Sequence, residues 1–76
     1  MNTIEELIIK YMQQGLTQAE IANMLKENDI KPNSQSSVEK KINQIKERYE
    51  AKTLFHLACI LYNEKVLEIE ESRNGE

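Results

Sequence analysis

The chain has a single cysteine, Cys59, in its 76 residues, so no internal disulfide is available to it. That excludes a disulfide framework, fits a reducing compartment and leads us to expect a cytoplasmic location. Proline is limited to Pro32, and glycine to Gly15 and Gly75. With so few breakers and few β-branched runs, helices are favoured over strands. There is no tryptophan, and Phe55 is the one phenylalanine. No run of about 18 apolar residues exists, so no membrane span is expected. The amino-terminal segment is acidic and amphipathic rather than basic then apolar, which argues against a signal peptide.

What the chain does have is an ordinary globular composition, 39% hydrophobic and 30% charged. The length fits one domain, 1–76, which on folding buries only roughly 60% of its unfolded surface. A partner or a self-interface would help so small a core. The net charge of −3 is unevenly spread. Residues 31–52 carry Lys31, Lys40, Lys41, Lys46, Arg48 and Lys52 against Glu39, Glu47 and Glu50, giving +3, whereas 1–30 and 53–76 each come to −3. A local basic patch of this kind matters more to an anionic partner than the net charge does.

Caps and periodicity predict four helices, at about 3–14, 17–28, 37–50 and 53–71. In the first, Thr3 and Glu6 have capping-box spacing. Ile4, Leu7, Ile8, Tyr11 and Met12 make one apolar face, and Gly15 is placed to end the helix in a left-handed conformation. The second begins at Thr17, three residues before Glu20, and carries Ala19, Ile21, Ala22 and Leu25 with Met24 beside them. A loop over 29–36 holds Pro32 and Asn33, with Ile30 placed to plug it into the core. Ser36 and Glu39 have the spacing of a third capping box. Val38, Ile42, Ile45 and Tyr49 then form an inward stripe that leaves Lys40, Lys41, Asn43, Gln44 and Glu47 on the other side.

The fourth segment is apolar nearly all round in its first turns and so must bury more than one side. Leu54, Leu57, Ala58 and Leu61 form one stripe. Phe55, Cys59, Tyr62, Val66 and Ile69 form a second, at strict four-three-four-three spacing. One can face the domain core and the other a second subunit, which predicts a homodimer through this helix. The alternative is that the fold wraps both stripes itself.

The third helix has the physical features of a helix that enters the DNA major groove. Its outer face offers Lys40 and Lys41 for phosphates and Asn43 and Gln44 for base edges, Asn and Gln being suited to adenine. Lys31 belongs to the same basic segment, and Ser36 and Ser37, with Ser34, stand near the helix start where hydroxyls can bond backbone phosphates. Gln44 and Lys46 enter on helix geometry and charge alone. The plain alternative is a solvated helix face.

The order of residues adds to this. The string Gly15-Leu16-Thr17-Gln18-Ala19-Glu20-Ile21-Ala22-Asn23-Met24-Leu25 closely resembles the second-helix signature of LuxR-type helix-turn-helix domains: a Gly, a Leu, a hydroxyl cap, then Glu-Ile-Ala and a Leu. Downstream, Ser37-Val38 with Ile42, Ile45 and Arg48-Tyr49 is similar to the family's recognition helix. Ala51-Lys52-Thr53 and Leu57-Ala58 are similar to the approach to its last helix. The resemblance covers roughly residues 5 to 62. It implies a four-helix, LuxR-like (GerE-like) DNA-binding domain with an extended C-terminal dimerisation helix, a transcription regulator whose DNA contacts include Lys40, Lys41, Asn43 and Arg48. The sequence departs from the family in three places. The connection over 26–37 is longer than the family's tight turn. Glu39 stands where the family usually has Lys, and is read as the cap partner of Ser36. Lys41 stands where a His is common.

Other chemistry is thin. His56 and Cys59, at i and i+3, supply two ligands where zinc needs three or four, and no second pair exists; a packed Cys beside a partly exposed His is the simpler account. No metal or cofactor is expected. No Gly-rich phosphate loop, nucleophile elbow or paired-carboxylate pocket is present, and nothing supplies a nucleophile with a base and an orienting group, so an enzyme is not expected. Two functions remain: a dimeric, sequence-specific regulator of double-stranded DNA, or a protein-interaction module on a helix-turn-helix scaffold that modulates another regulator.

Overall fold

The structure, a computed structural model, describes residues 2–64. Those residues form helices and no strands: α1 (Thr3–Gln13), α2 (Gln18–Glu27), α3 (Gln35–Arg48) and α4 (Leu54–Asn63). The all-α class expected from the sequence holds for the described residues. The extension of the last helix to 71, with Val66 and Ile69, lies outside them. No helix among them is long and apolar enough to cross a membrane. The chain divides into two compact units, Met1–Ile45 and Lys46–Glu76, the boundary falling within α3.

In the first unit the expected stripes meet. Ile8 from α1, Ile21, Ala22 and Leu25 from α2, and Val38 and Ile42 from α3 form a buried cluster. Ile4, Leu7, Tyr11, Met12, Leu16 and Ile30 are half-buried around it. Apolar residues three and four apart share a helix face, so burying one such face from each helix closes the cluster. Ile45 is also fully buried. Two features differ from the sequence reading. Ala19 is exposed, one step round α2 from the inward row. The buried arc of α1 is wider than its apolar stripe, because Glu5 and Ile9, one turn apart, are buried beside it.

The helix starts are set by side-chain caps. Thr17 caps α2 as expected: its hydroxyl accepts from the Glu20 N–H at 3.2 Å, and the Thr17 N–H donates to the Glu20 carboxylate at 2.8 Å. At α1 the box is displaced by one residue from the Thr3–Glu6 pair. Asn2 is the cap; its side-chain carbonyl accepts from the Glu5 N–H at 2.9 Å, and its own N–H donates to Glu5 Oε1 at 3.3 Å. Asn outranks Thr as a helix cap, and Asn2 is followed three residues later by an acid just as Thr3 is. At α3 the Ser36–Glu39 box does not form. The helix begins earlier, at Gln35, and Ser34 caps it by accepting from the Ser37 N–H at 3.1 Å. An earlier start adds intrahelical bonds at no new nucleation cost, so the first of the closely spaced serines takes the role.

The helix ends share one solution. Gly15 follows α1 at φ +92, its N–H bonded to Met12 O and that of Leu16 to Tyr11 O. Asp29 follows α2 at φ +58, with Asp29 N–H bonded to Lys26 O and Ile30 N–H to Leu25 O. Glu50 follows α3 at φ +56, with Glu50 N–H bonded to Glu47 O and Ala51 N–H to Lys46 O. Each is a Schellman turn, a left-handed residue flanked by two backbone bonds that satisfy otherwise orphan carbonyls. Leu16 and Ile30, the residues just past the first two, fold back onto the core.

The second unit holds the last turn of α3, the turn at Glu50 and α4. Thr53 caps α4 by accepting from the His56 N–H at 2.9 Å, and His56 Nδ1 in turn accepts from the Lys52 N–H at 3.1 Å. Leu57 and Leu61 are fully buried and Ile60 half-buried. The expected inner stripe is thereby narrowed: Leu54 and Ala58, which it included, are exposed.

Candidate functional site

Within the first unit, the inward row of α3 fixes what its other side presents. At about 3.6 residues per turn, positions 36, 40 and 43 fall in one outward row and 37, 41 and 44 in the row beside it. Ser36, Lys40, Asn43 and Gln44 are exposed, while Ser37 and Lys41 are half-buried at the edge of the face. The structure thus brings six of the expected site residues onto adjacent rows of one helix. Lys31 is exposed in the 28–34 connection, where the Lys31–Pro32 peptide is cis. Arg48 is exposed in the last turn of α3 and belongs to the second unit.

The start of α3 carries a small hydroxyl network. The Ser34 hydroxyl donates to Ser37 Oγ at 2.7 Å while accepting the Ser37 N–H, and Ser36 Oγ lies 3.4 Å from Ser34 Oγ. Ser34 therefore works inside the fold, and the Ser37 hydroxyl, an acceptor in this network, keeps its own proton for another acceptor. Three cap-competent serines lie within four positions, so spacing alone does not single out Ser34 as the cap.

The electrostatics of this helix start differ from those of α1 and α2. The first turn of α1 contains Glu5 and Glu6 and that of α2 contains Glu20, whereas the first turn of α3 contains no acid. The partial positive charge of the α3 N-terminus is therefore not offset by a carboxylate in its own first turn. Among the described residues no side-chain hydrogen bond or ion pair engages Lys31, Lys40, Lys41, Asn43 or Gln44. Their donors are available to an external acceptor. The same holds for Glu39, which is exposed in the second turn, outside the cap assigned to it from the sequence.

The second candidate surface is on α4. Phe55 is 80% exposed, Tyr62 46% and Leu54 39%, and Ala58 and Cys59 are also exposed. These residues adjoin one another on the helix, through i,i+3 and i,i+4 spacings. Cys59 is not packed as the sequence reading had it. His56 and Cys59 are both exposed, and among the described residues no three His, Cys, Asp or Glu side chains come together as metal ligands.

No protein-family model, curated protein or solved structure matches the chain.

Proposed function

We propose that the chain is a sequence-specific DNA-binding transcriptional regulator that acts as a dimer and lays α3 in the major groove. The observation that carries this reading is the outward face of α3: Lys40, Asn43 and Gln44 stand exposed, with unengaged donors, on a helix whose opposite side is locked in a core by Val38 and Ile42. The major groove is wide enough for one helix, lysines neutralise phosphates, and Asn and Gln match the adenine edge. The acid-free start of α3 suits a backbone phosphate, with Ser36 and Ser37 beside it and Lys31 close in sequence. The resemblance of the 15–25 string to the LuxR-type signature supports the same assignment, and Arg48 joins the contact set on that resemblance. The exposed Phe55, Cys59 and Tyr62 supply the apolar face for a symmetric partner, and dimers of this kind read half-sites about one helical turn apart.

Mobility shift on random and genomic duplex DNA across a salt series tests the proposal. Affinity is expected to fall as salt rises, and Lys40→Ala or Lys41→Ala to lower the logarithmic salt slope by about 1 each. Absence of binding at low salt, or binding indifferent to salt, would overturn it.

A second reading rests on the exposure of Phe55, Leu54 and Tyr62 together with Glu39: a module that docks another regulator through α4 and leaves DNA alone. It requires a stable hetero-complex that survives the double substitution Lys40→Ala with Lys41→Ala. A pull-down that recovers DNA but no protein would sink it.

A further inference from the structure

Glu39 is the residue that the cap of α3 leaves without a task. Had Ser36 been the cap, Glu39 would have closed a capping box; with Ser34 as cap it stands beyond the capping positions, exposed, with no hydrogen bond or ion pair among the described residues. Its neighbours one turn away on the helix, at i±3 and i±4, are Gln35, Ser36, Ile42 and Asn43. None is a cation, so no intrahelical ion pair accounts for the carboxylate either.

On a helix in the major groove such a group has few compatible surroundings. A carboxylate only accepts hydrogen bonds, and against a phosphate it is repelled. The donors that the groove presents are the exocyclic amines of cytosine and adenine. Asn43, like Gln44, is suited to adenine, pairing with both its N6 and N7, and of the two it is Asn43 that lies one turn from Glu39; the carboxylate is suited to cytosine N4. Helix residues three to four apart reach successive bases in known groove-reading geometries, and residues toward the helix N-terminus make the base contacts. Glu39 and Asn43 have that spacing and lie in the α3 segment of the first unit.

Resting on the DNA reading above, we infer that Glu39 is a specificity-determining residue: it accepts a hydrogen bond from the N4 amine of a cytosine next to an adenine read by Asn43. The acid that weakens general attraction to DNA is thereby the one that selects a sequence.

The test is binding-site selection from a randomised duplex pool with the wild-type chain, Glu39→Ala and Glu39→Gln, followed by titration of the selected duplex and of a version with the key C·G pair changed to T·A. The wild type is expected to select C·G beside A·T and to discriminate against the changed duplex by about 5- to 150-fold, the range of one good base contact. Glu39→Ala is expected to lose that discrimination while binding random duplex at least as tightly. Glu39→Gln is expected to shift the preferred base from cytosine to adenine, a change that a merely structural residue would not produce. Circular dichroism checks that both variants keep their helices. Retention of the cytosine preference by Glu39→Ala, or selection by the wild type of sites without it, overturns this inference and leaves the DNA reading standing. Failure of the wild type to bind any duplex at low salt overturns the DNA reading, and this inference with it.

Discussion

In the first unit, three helices turn their large aliphatic side chains toward one another, and Ile8, Ile21 and Leu25 are wholly removed from water. In the second, a ten-residue helix that is apolar nearly all round buries Leu57 and Leu61 and leaves Leu54, Phe55 and Tyr62 in the open. The contrast is between surface matched by periodicity and surface in excess of it. α1 and α2 carry polar residues opposite their apolar stripes, so closing one face suffices. α4 has two apolar faces, and in the single chain only one is covered. Contiguous exposed apolar surface of this kind is what the proposed partner would cover.

The largest effect expected to separate the two regions is in the core. Leu25→Ala should cost about 2–5 kcal/mol in urea unfolding, because the deleted methyl groups leave a cavity among close-packed neighbours. Leu54→Ala, at a position 39% exposed, should cost far less. Equal losses at the two sites would erase the distinction.

The helix ends come next. Gly15→Ala should destabilise by roughly 1 kcal/mol, the left-handed cost of ~1–2 kcal/mol for an L-residue less ~0.4–1 kcal/mol of unfolded-chain entropy. No atom lies within 4 Å of where the new Cβ would sit, so the cost is purely conformational. The opposite change at the same kind of position, Glu50→Gly in the second unit or Asp29→Gly in the first, should raise the thermal midpoint by relieving that strain, net of about 0.4–1 kcal/mol of added unfolded-chain entropy. A fall in midpoint for both variants would show that the left-handed turns are not under strain.

Thr17→Ala should cost about 1 kcal/mol in the same unfolding experiment, as loss of an N-cap does. The smallest expected change in stability is at Phe55. Phe55→Glu should alter unfolding of the isolated chain by less than about 0.5 kcal/mol, since a surface substitution removes no packing. In sedimentation the same variant should be monomeric at concentrations where the wild type associates. A wild type that stays monomeric at high concentration would remove the dimer from the proposal and leave the α4 face to another partner.

Much of this architecture was legible in the sequence, because it rests on periodicity and on letters with a narrow conformational meaning. The inward stripes of α1, α2 and α3 follow from three- and four-residue spacing, Thr17–Glu20 from the capping box, and the α1 stop from Gly15. What was not legible depends on competition between near-equal options. Asn2 and Thr3 are each followed three residues on by an acid, and the serines at 34, 36 and 37 can each cap. Choosing among them needs the bonds of the whole helix. The turns at Asp29 and Glu50 carry no glycine to announce a left-handed residue. The burial of Glu5 and the exposure of Ala58 depend on the widths of the buried arcs, which spacing alone does not set. Of the candidate site, the grouping of Lys40, Asn43 and Gln44 on one face follows from helix geometry. The freedom of Glu39 does not, because it turns on which serine caps α3.

The repeated helix stop has a kinetic consequence. At three successive connections the residues just past the helix keep their amide protons in backbone bonds: Gly15 and Leu16, Asp29 and Ile30, Glu50 and Ala51. Exposed loops ordinarily surrender such protons to solvent quickly, whereas bonded amides exchange only when the local structure opens. In deuterated water these three pairs should therefore extend the slow exchange of each helix into the connection that follows it, and the order in which they fade would show which connection opens first.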